Sequence, residues 1–218
     1  MNTVLVQPKI LIAMLELAGK NDIRFYLNSV FLEIRPAFIN YVATNGANKL
    51  GVYHDDAYKD INPDAVTADL IIPHHAIETI KKWKTKEFTI VLQFDGRDCT
   101  FKSSAGATLE VKAEEGRYPD FRHVIPHGPA SGQGAQFQPI LLHAFERFAK
   151  VVLDVDFPYV HVEHDGPTNG ARVSLTLPNF IGVVMPMRAP KDFAPRTGGF
   201  LAKPAEVTSI EDDIAELV

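Results

Sequence analysis

Three segments of the 218-residue chain share one local plan, and this repeat constrains the fold more than any other feature. Each segment is an extended apolar stretch, then a proline, then a helix-like apolar periodicity. The prolines are Pro8, Pro73 and Pro139, at intervals of about 65 residues. Proline favours the first turn of a helix, because its missing N–H costs nothing there and its φ is already helical. The spacing therefore predicts a structural unit that occurs three times.

Strand-like runs follow each predicted helix. They are rich in β-branched and aromatic residues, alternate in polarity and break at Asn, Asp or Gly. The first run after the first helix covers residues 23–34. Three such runs per helix give a β-α-β-β-β unit of about 60 residues, and an α+β fold class.

The units also predict the domain organisation. The first two units form one domain over residues 1–126, and residues 127–134 are a Gly/Pro/Ser-rich linker. Residues 135–189 form half a domain, a single unit. Residues 190–218 are expected to be a flexible acidic tail, with a short helix capped by Ser209 as the alternative for its end.

Composition excludes several classes of protein. The chain is 46% apolar and 22% charged, as globular proteins are. No apolar run approaches the roughly 18 residues that a membrane helix needs, and no secretory signal is visible. Cys99 is the single cysteine, so no intrachain disulfide is expected and a cytoplasmic location fits.

The net charge of −5 comes from the residues after Ala205. After Ala205 the chain has five acidic residues and no Lys or Arg, which leaves the body neutral. The acidic total therefore does not exclude a nucleic acid as partner, since the distribution of the bases over the surface decides that.

Catalytic motifs are weak throughout the sequence. His161 and His164 are the best metal candidates, but no Cys or carboxylate cluster completes a site around them. Neither a phosphate-binding Gly-Lys-Ser/Thr loop nor a Gly-x-Ser-x-Gly turn is present. We expect no enzyme activity, cofactor or metal, and keep a metal-dependent or hydrolytic enzyme as the least favoured hypothesis.

Basic residues recur on the predicted helices. A solvated helix face explains any one of them, but the same tendency on repeated helices favours a surface that attracts a polyanion. The candidates are Lys9, Lys20, Lys81, Lys82, Lys84, Lys86, Arg147 and Lys150.

Specific segments resemble the bacterial DNA polymerase III β subunit, the β sliding clamp. Residues 24–28, 42–46 and 49–52 resemble its middle domain. Residues 116–126 resemble the segment that closes that domain, and residues 183–188 resemble the signature that ends its last domain. The likeness covers residues 1–189. An N-terminal domain and half of the last domain have no counterpart, so the chain resembles a divergent short form, for which a phage or prophage origin is the hypothesis.

Two substitutions depart from the family's pattern within the matching segments. Asn45 stands where the family usually has an Asp, and His123 stands where it commonly has a second Arg.

The resemblance implies a function. Clamps are rings that encircle duplex DNA without reading its sequence and tether a replicative polymerase, with helices lining the hole and sheets outside. The alternative is a clamp-like protein-binding module that competes for clamp-binding peptides without encircling DNA.

The resemblance also implies a cleft for short apolar peptides of the polymerase and the clamp loader. The matching positions are Leu27, Thr44, Gly46, Lys49, Leu50, Pro119, His123, Val124, Val183, Val184, Met185, Pro186 and Met187.

Family rings have six domains, equivalent to twelve units, and this chain supplies three. A head-to-tail homotetramer is therefore favoured, with the sheet edge of the first unit pairing with that of the third between subunits. The alternative is a homotrimer, in which residues 127–218 would form a whole domain.

Overall fold

The computed structural model describes residues 1–61, 66–128 and 134–188. The predicted tail, with the helix at Ser209, and most of the predicted linker lie outside the described residues. The first unit contains β1 (Asn2–Val6), α1 (Pro8–Met14), β2 (Val30–Arg35), β3 (Phe38–Thr44), β4 (Lys49–Asp55) and a short α2 (Tyr58–Ile61). The second contains β5 (Ala68–Ile72), α3 (His74–Lys82), β6 (Ile90–Asp95), β7 (Asp98–Lys102) and β8 (Thr108–Lys112). The third contains α4 (Pro139–Leu153), β9 (His161–His164), β10 (Ala171–Ser174) and β11 (Phe180–Val184).

The repeated prolines begin the helices, as their chemistry requires. Pro8 and Pro139 are the first residues of α1 and α4, where a missing N–H leaves no hydrogen bond unmade. Pro73 precedes α3 as its N-cap, in an extended conformation. At its other end α4 stops at Asp154, whose φ of 58° is left-handed.

The first two units exchange strands to form one domain. β1 of the first unit pairs with β6 of the second, and β5 of the second pairs with β2 of the first. The outcome is a four-stranded sheet in the order β1-β6-β7-β8 and a second sheet that begins β5-β2-β3-β4. Each unit therefore needs the strand that precedes the helix of its neighbour.

The third unit joins the first through an antiparallel ladder between β4 and β11. This ladder extends the second sheet to seven strands, in the order β5-β2-β3-β4-β11-β10-β9. On one side of the sheets α1 packs against both α3 and α4. The apolar faces of these helices and sheets form one continuous core.

Three sequence-based expectations are wrong. The edge of the first unit pairs with the third unit within the chain and not between subunits, because β11 already occupies β4. Residues 25–28 form a 3-10 helix, where a strand was expected, and Asp22 holds the chain before it by accepting hydrogen bonds from Arg24. The strand expected before α4 is reduced to one bridge, between Gln136 and Met187.

Two glycines lie opposite each other where the first and third units meet, Gly51 on β4 and Gly182 on β11. A Cβ atom on Gly51 would lie 2.2 Å from Leu17, and one on Gly182 would lie 2.5 Å from the buried ring of Phe145. Side chains from α4 and from the segment after α1 thus pack directly on the backbone of the β4–β11 ladder, which requires glycine there.

Gly182→Ala should lower the free energy of unfolding by about 1–3 kcal/mol, because the new methyl group forces the Phe145 ring out of its place. Gly134→Ala is the matched control, since nothing lies within 4 Å of a Cβ atom there. Urea denaturation of the two variants measures the difference. Equal stabilities would contradict the packing described for the β4–β11 ladder.

Candidate functional site

The basic residues predicted from the helices lie on the side of the sheets that α1, α3 and α4 cover, and acids neutralise some of them. Arg147 of α4 forms an ion pair with Glu16. Lys81 lies 3.5 Å from Glu78, and Lys150 lies 2.8 Å from Glu146. Among the described residues, no carboxylate lies within ion-pair distance of the other five: Lys9, Lys20, Lys82, Lys84 and Lys86.

A depression of about 510 Å³ brings four of the predicted bases together at one end of the helices. Its lining includes Lys9, Lys81, Lys84 and Lys86, with Glu87 and Asp154 as the acidic members. The carboxylate of Glu87 accepts hydrogen bonds from the backbone N–H of Ser104, which lowers its pKa. This rim therefore carries an excess of positive charge, which attracts phosphates without a fixed hydrogen-bond geometry.

A second depression, of about 650 Å³, lies further along the same helices and has mixed charge. Its bases are Lys20, Lys81 and Arg147, and two histidines at the start of α3 adjoin them. Glu16, Glu78 and Glu114 lie in the same lining. Lys82 and Lys150 are exposed on the helices outside both depressions.

A separate cleft of about 290 Å³ lies where β4 meets β11. Its walls are the turn between β3 and β4, residues 119–124 and the end of β11. Eight of the thirteen predicted cleft residues line it: Thr44, Gly46, Lys49, Leu50, Pro119, Val124, Val183 and Met185. Five further lining residues were not predicted: Arg24, Ala47, Asn48, Asp120 and Phe121.

The other five predicted residues lie elsewhere. Leu27 is fully buried beneath Gly46. Val184 is also fully buried, because alternation along β11 turns it toward the core while Val183 lines the cleft. His123 is exposed beside Asp120 and outside the lining.

Pro186 and Met187 follow β11 beyond the cleft, and the N–H of Met187 donates to the carbonyl of Gln136. The alternation of side chains along a strand predicts that Val183 and Val184 lie on opposite faces, so the sequence alone could have excluded one of them from the cleft.

The turn at the mouth of the cleft is held by side-chain oxygens. Oδ1 of Asn45 accepts hydrogen bonds from the N–H groups of residues 47, 48 and 49, at 3.2, 2.9 and 3.1 Å. Thr44 Oγ1 accepts from Gly46 and donates to the carbonyl of Lys49. The turn needs only an acceptor oxygen at position 45, and asparagine retains one.

The wall formed by residues 119–124 is fixed to the sheet through Glu33. Its carboxylate accepts hydrogen bonds from Arg122 at 2.6 Å and from Asn40 at 2.7 Å. Burial alone would raise the pKa of Glu33, but these hydrogen bonds lower it below its usual value. The ring of Tyr118 stacks on Phe31 with the centroids 4.8 Å apart.

Lys49 connects the cleft to the helices. It lines the cleft, and its Nζ donates to the carbonyl oxygen of Glu16 at 2.5 Å. Burial lowers the pKa of Lys49 to about 8, and repulsion from Lys20 acts in the same direction.

Other chemistry finds little support in the described residues. Burial raises the pKa of the Cys99 thiol to about 11, which keeps it an unreactive thiol. Within residues 1–61, 66–128 and 134–188, no three His, Cys, Asp or Glu side chains converge as metal ligands would. The helices of these ranges are too short or too polar to span a bilayer.

The fold is that of the bacterial DNA sliding clamps. The β subunit of DNA polymerase III from Thermotoga maritima superposes with a TM-score of 0.65 at 16% identity, over 86% of this chain and 66% of that one. The Bacillus subtilis sliding clamp gives a TM-score of 0.65 at 12% identity, over 87% and 65%.

The sequence points to the same proteins. A segment of 107 residues is 28% identical to the β sliding clamp of Buchnera aphidicola, which is 49% of this chain and 28% of that protein. The Vibrio cholerae β sliding clamp is 29% identical over 109 residues, again 28% of its length. No family model matches the chain. The resemblance to the β sliding clamp family, in a divergent form, is confirmed, with a match that spans little more than a quarter of the relatives' length.

The environment of Lys49 predicts a titration. Its amine should lose its proton near pH 8 in the folded protein, against 10.5 for an ordinary lysine. Because the folded pKa is the lower one, the folded state releases its proton first. The contribution of Lys49 to stability should therefore rise as the pH increases from about 8 to 10.5.

A ¹⁵N NMR titration that follows Lys49 Nζ tests this. A midpoint near the ordinary lysine value of 10.5 would contradict the buried environment.

Proposed function

We propose that this protein is a DNA sliding clamp, a processivity factor that encircles duplex DNA and tethers a replicative polymerase through the cleft between β4 and β11. The observation that carries the proposal is the arrangement of two surfaces on one clamp fold. The peptide-sized cleft lies at the β4–β11 ladder, and the basic depression lies among α1, α3 and α4. In this role the protein acts by topology and catalyses no reaction.

The charges of the helix face suit a mobile tether. Five lysines without an acidic partner among the described residues can attract phosphates at long range, and none is held in a fork-like geometry that would fix it on one phosphate. Such contacts carry no sequence information, so the protein can slide. Binding should be weak and should fall steeply as salt increases.

Charge reversal on the helix face tests the DNA part. Lys9→Glu with Lys86→Glu should reduce retention on nicked circular DNA at least tenfold, because both lysines line the basic depression. Lys9 follows the first residue of its helix, where a glutamate is tolerated well. Retention after gel filtration on circular and on linearised DNA is the measurement.

The matched control reverses two bases that lie outside the basic depression, Lys102→Glu with Arg117→Glu. The net change in charge is the same, and Lys102 is exposed on β7 while Arg117 is exposed in the segment after β8. Equal losses in the two double variants would show that only net charge matters, and would reject the helix face as the DNA surface.

The cleft is proposed to bind a short, largely apolar peptide. Leu50, Phe121, Val183 and Met185 supply apolar walls, and methionine adapts to varied ligands. Arg24 is paired with Asp22, and the Lys49 amine donates to the Glu16 carbonyl, so both basic side chains of the lining already have partners. The apolar walls therefore set the preference for apolar residues in the peptide.

Met185→Asp should weaken ligand binding at least tenfold, because it places a charge in the apolar wall. Met187→Asp is the control, since Met187 is exposed and lies outside the cleft lining. One probe is griselimycin, which a structure of the Pseudomonas aeruginosa clamp holds. Fluorescence anisotropy with a labelled derivative measures the affinity, and equal effects of the two substitutions would reject the site.

The second candidate function is a clamp-like module that competes for clamp-binding peptides without encircling DNA. It is favoured by the acids on the helix face, which neutralise Lys81, Arg147 and Lys150. A protein of this kind would bind the peptide probe, remain monomeric and show no retention on circular DNA.

Four copies would supply the twelve units of a ring of the usual size, and three copies would require a fourth unit per chain. Light scattering distinguishes a mass near four times 24.2 kDa from one near three times that value. The way in which copies meet is a separate question, which the sheet edges address.

A further inference from the structure

One strand pairing that the first two units both make is absent from the described part of the third. In those units, the first strand after the helix is covered by the strand that precedes the neighbour's helix: β5 covers β2, and β1 covers β6. The equivalent strand in the third unit is β9. Within the described residues, β9 pairs only with β10, and none of these residues covers its outer edge.

Burial of the side chains shows what the missing strand would cover. The inward residues at the start of β2 and β6 are Val30 and Ile90, which are 0% and 1% exposed. Their counterpart at the start of β9 is Val160, which is only partly buried, as is Val162. The third unit therefore has an incomplete core at this edge.

Large apolar side chains surround the same edge. Phe157 and Tyr159 are 89% and 80% exposed in the segment that leads into β9. Ile140, in the first turn of α4, is 68% exposed, whereas the equivalent positions of α1 and α3 carry Lys9 and His75. Exposed apolar residues next to an open strand edge indicate a surface that another chain covers.

The chain also carries an unused strand of the required kind. Residues 135–137 precede α4 as β1 precedes α1, and both segments end in a Gln-Pro pair at the helix start. Phe137 holds the position of Val6, one residue before the N-cap. In the described structure, residues 135–137 make a single bridge, from Gln136 to Met187.

We propose that two copies of this chain complete each other's third units, with residues 135–137 of each copy pairing antiparallel with the β9 edge of the other. The pairing of β1 with β6 sets the register. Val6 lies opposite Ile90 and Val4 opposite Leu92, so Phe137 should face Val160 of the other copy, and Ala135 should face Val162. Because each copy gives and receives one strand, the contact has twofold symmetry.

This inference has a consequence for the ring, which rests on the proposed function. Around a ring of such units, strand exchange alternates with edge ladders of the β4–β11 kind. A chain of three units has two ends. At β9 it needs a strand from another copy, whereas at β8 it offers a strand edge for a ladder. These two kinds of contact cannot be made with each other. The sequence-based head-to-tail arrangement therefore does not close, and β8 must meet β8 of another copy.

The β8 edge is compatible with pairing to itself. An antiparallel ladder centred on Val111 places Glu110 of one copy opposite Lys112 of the other, a favourable cross-strand pair. Twofold axes between neighbouring copies lie in the plane of the ring. Two of the four peptide clefts would then open on each face of the ring.

Cross-linking between two single-cysteine variants tests the exchange directly. Phe137→Cys and Val160→Cys are each made in a Cys99→Ala background, which removes only a buried thiol. Mixed and treated with a short bis-maleimide, they should give at least ten times more covalent dimer than either variant alone. Ala135→Cys with Val162→Cys is the second pair in the same register.

The control mixture is Phe137→Cys with Val111→Cys. A covalent dimer that joins these two different variants forms only if third units meet β8 in a head-to-tail contact, whereas Val111→Cys joined to itself is the product that the β8–β8 ladder predicts. A Phe137–Val111 cross-link, or the absence of cross-links from both exchange pairs, overturns the inference. The backbone groups of Gln136 face Met187, so those of Ala135 lie on the other edge of the segment. Ala135→Pro removes the N–H on that edge and should halve the mass of the assembly with the fold intact by circular dichroism.

The cross-linking test uses no DNA, so its outcome can be distinguished from that of the DNA-retention test. Exchange cross-links without retention on circular DNA would reject the clamp function and keep the interface. Retention on circular DNA without exchange cross-links, or a mass near three times 24.2 kDa, would reject the interface and keep the clamp function.

Discussion

The antiparallel ladder between β4 and β11 is the interaction on which the rest of the structure depends. It joins the first and third units into one seven-stranded sheet. Gly51 and Gly182 lie opposite each other in it, and Leu17 and Phe145 pack over their backbones. Two side chains at that place would push α1 and α4 away from the sheet. Close packing there is therefore what brings three helices onto one face.

The ladder forms the cleft directly and is linked to the helix face through α4. The cleft lies at the end where Asn48 accepts a hydrogen bond from the N–H of Met185, at 2.8 Å. On the other side of the sheet, Arg147 of α4 forms an ion pair with Glu16, so the helices of the first and third units are held together there as well. Lys49 lines the cleft and donates to the Glu16 carbonyl. A ligand that displaces the Lys49 amine would thus act on both surfaces.

Sequence patterns predicted the elements well and their partners poorly. Alternation and the prolines gave the strands and helices of all three units, since those signals are local. The pairing of β1 with β6 and of β5 with β2 was not predictable from the sequence, because the residues of a strand edge do not specify which strand pairs with it. In the cleft, motif likeness located Met185 and Val183. It misassigned Leu27, because a residue that supports the floor of a cleft has the same apolar character as one that lines it.

If the protein is a mobile tether, as proposed, the balance of charge on the helix face has a physical reason. Each phosphate that a lysine neutralises steepens the fall of log affinity with log salt by about 0.9, so the bases of every copy in a ring add to the same slope. With several copies around one duplex, a fully unpaired set of eight bases per copy would hold the DNA tightly and slow movement along it. Pairing Lys81, Arg147 and Lys150 with acids lowers this attraction, and five lysines keep no acidic partner among the described residues. Acids on this face are therefore compatible with encircling DNA, and the neutral body of the chain is the expected consequence.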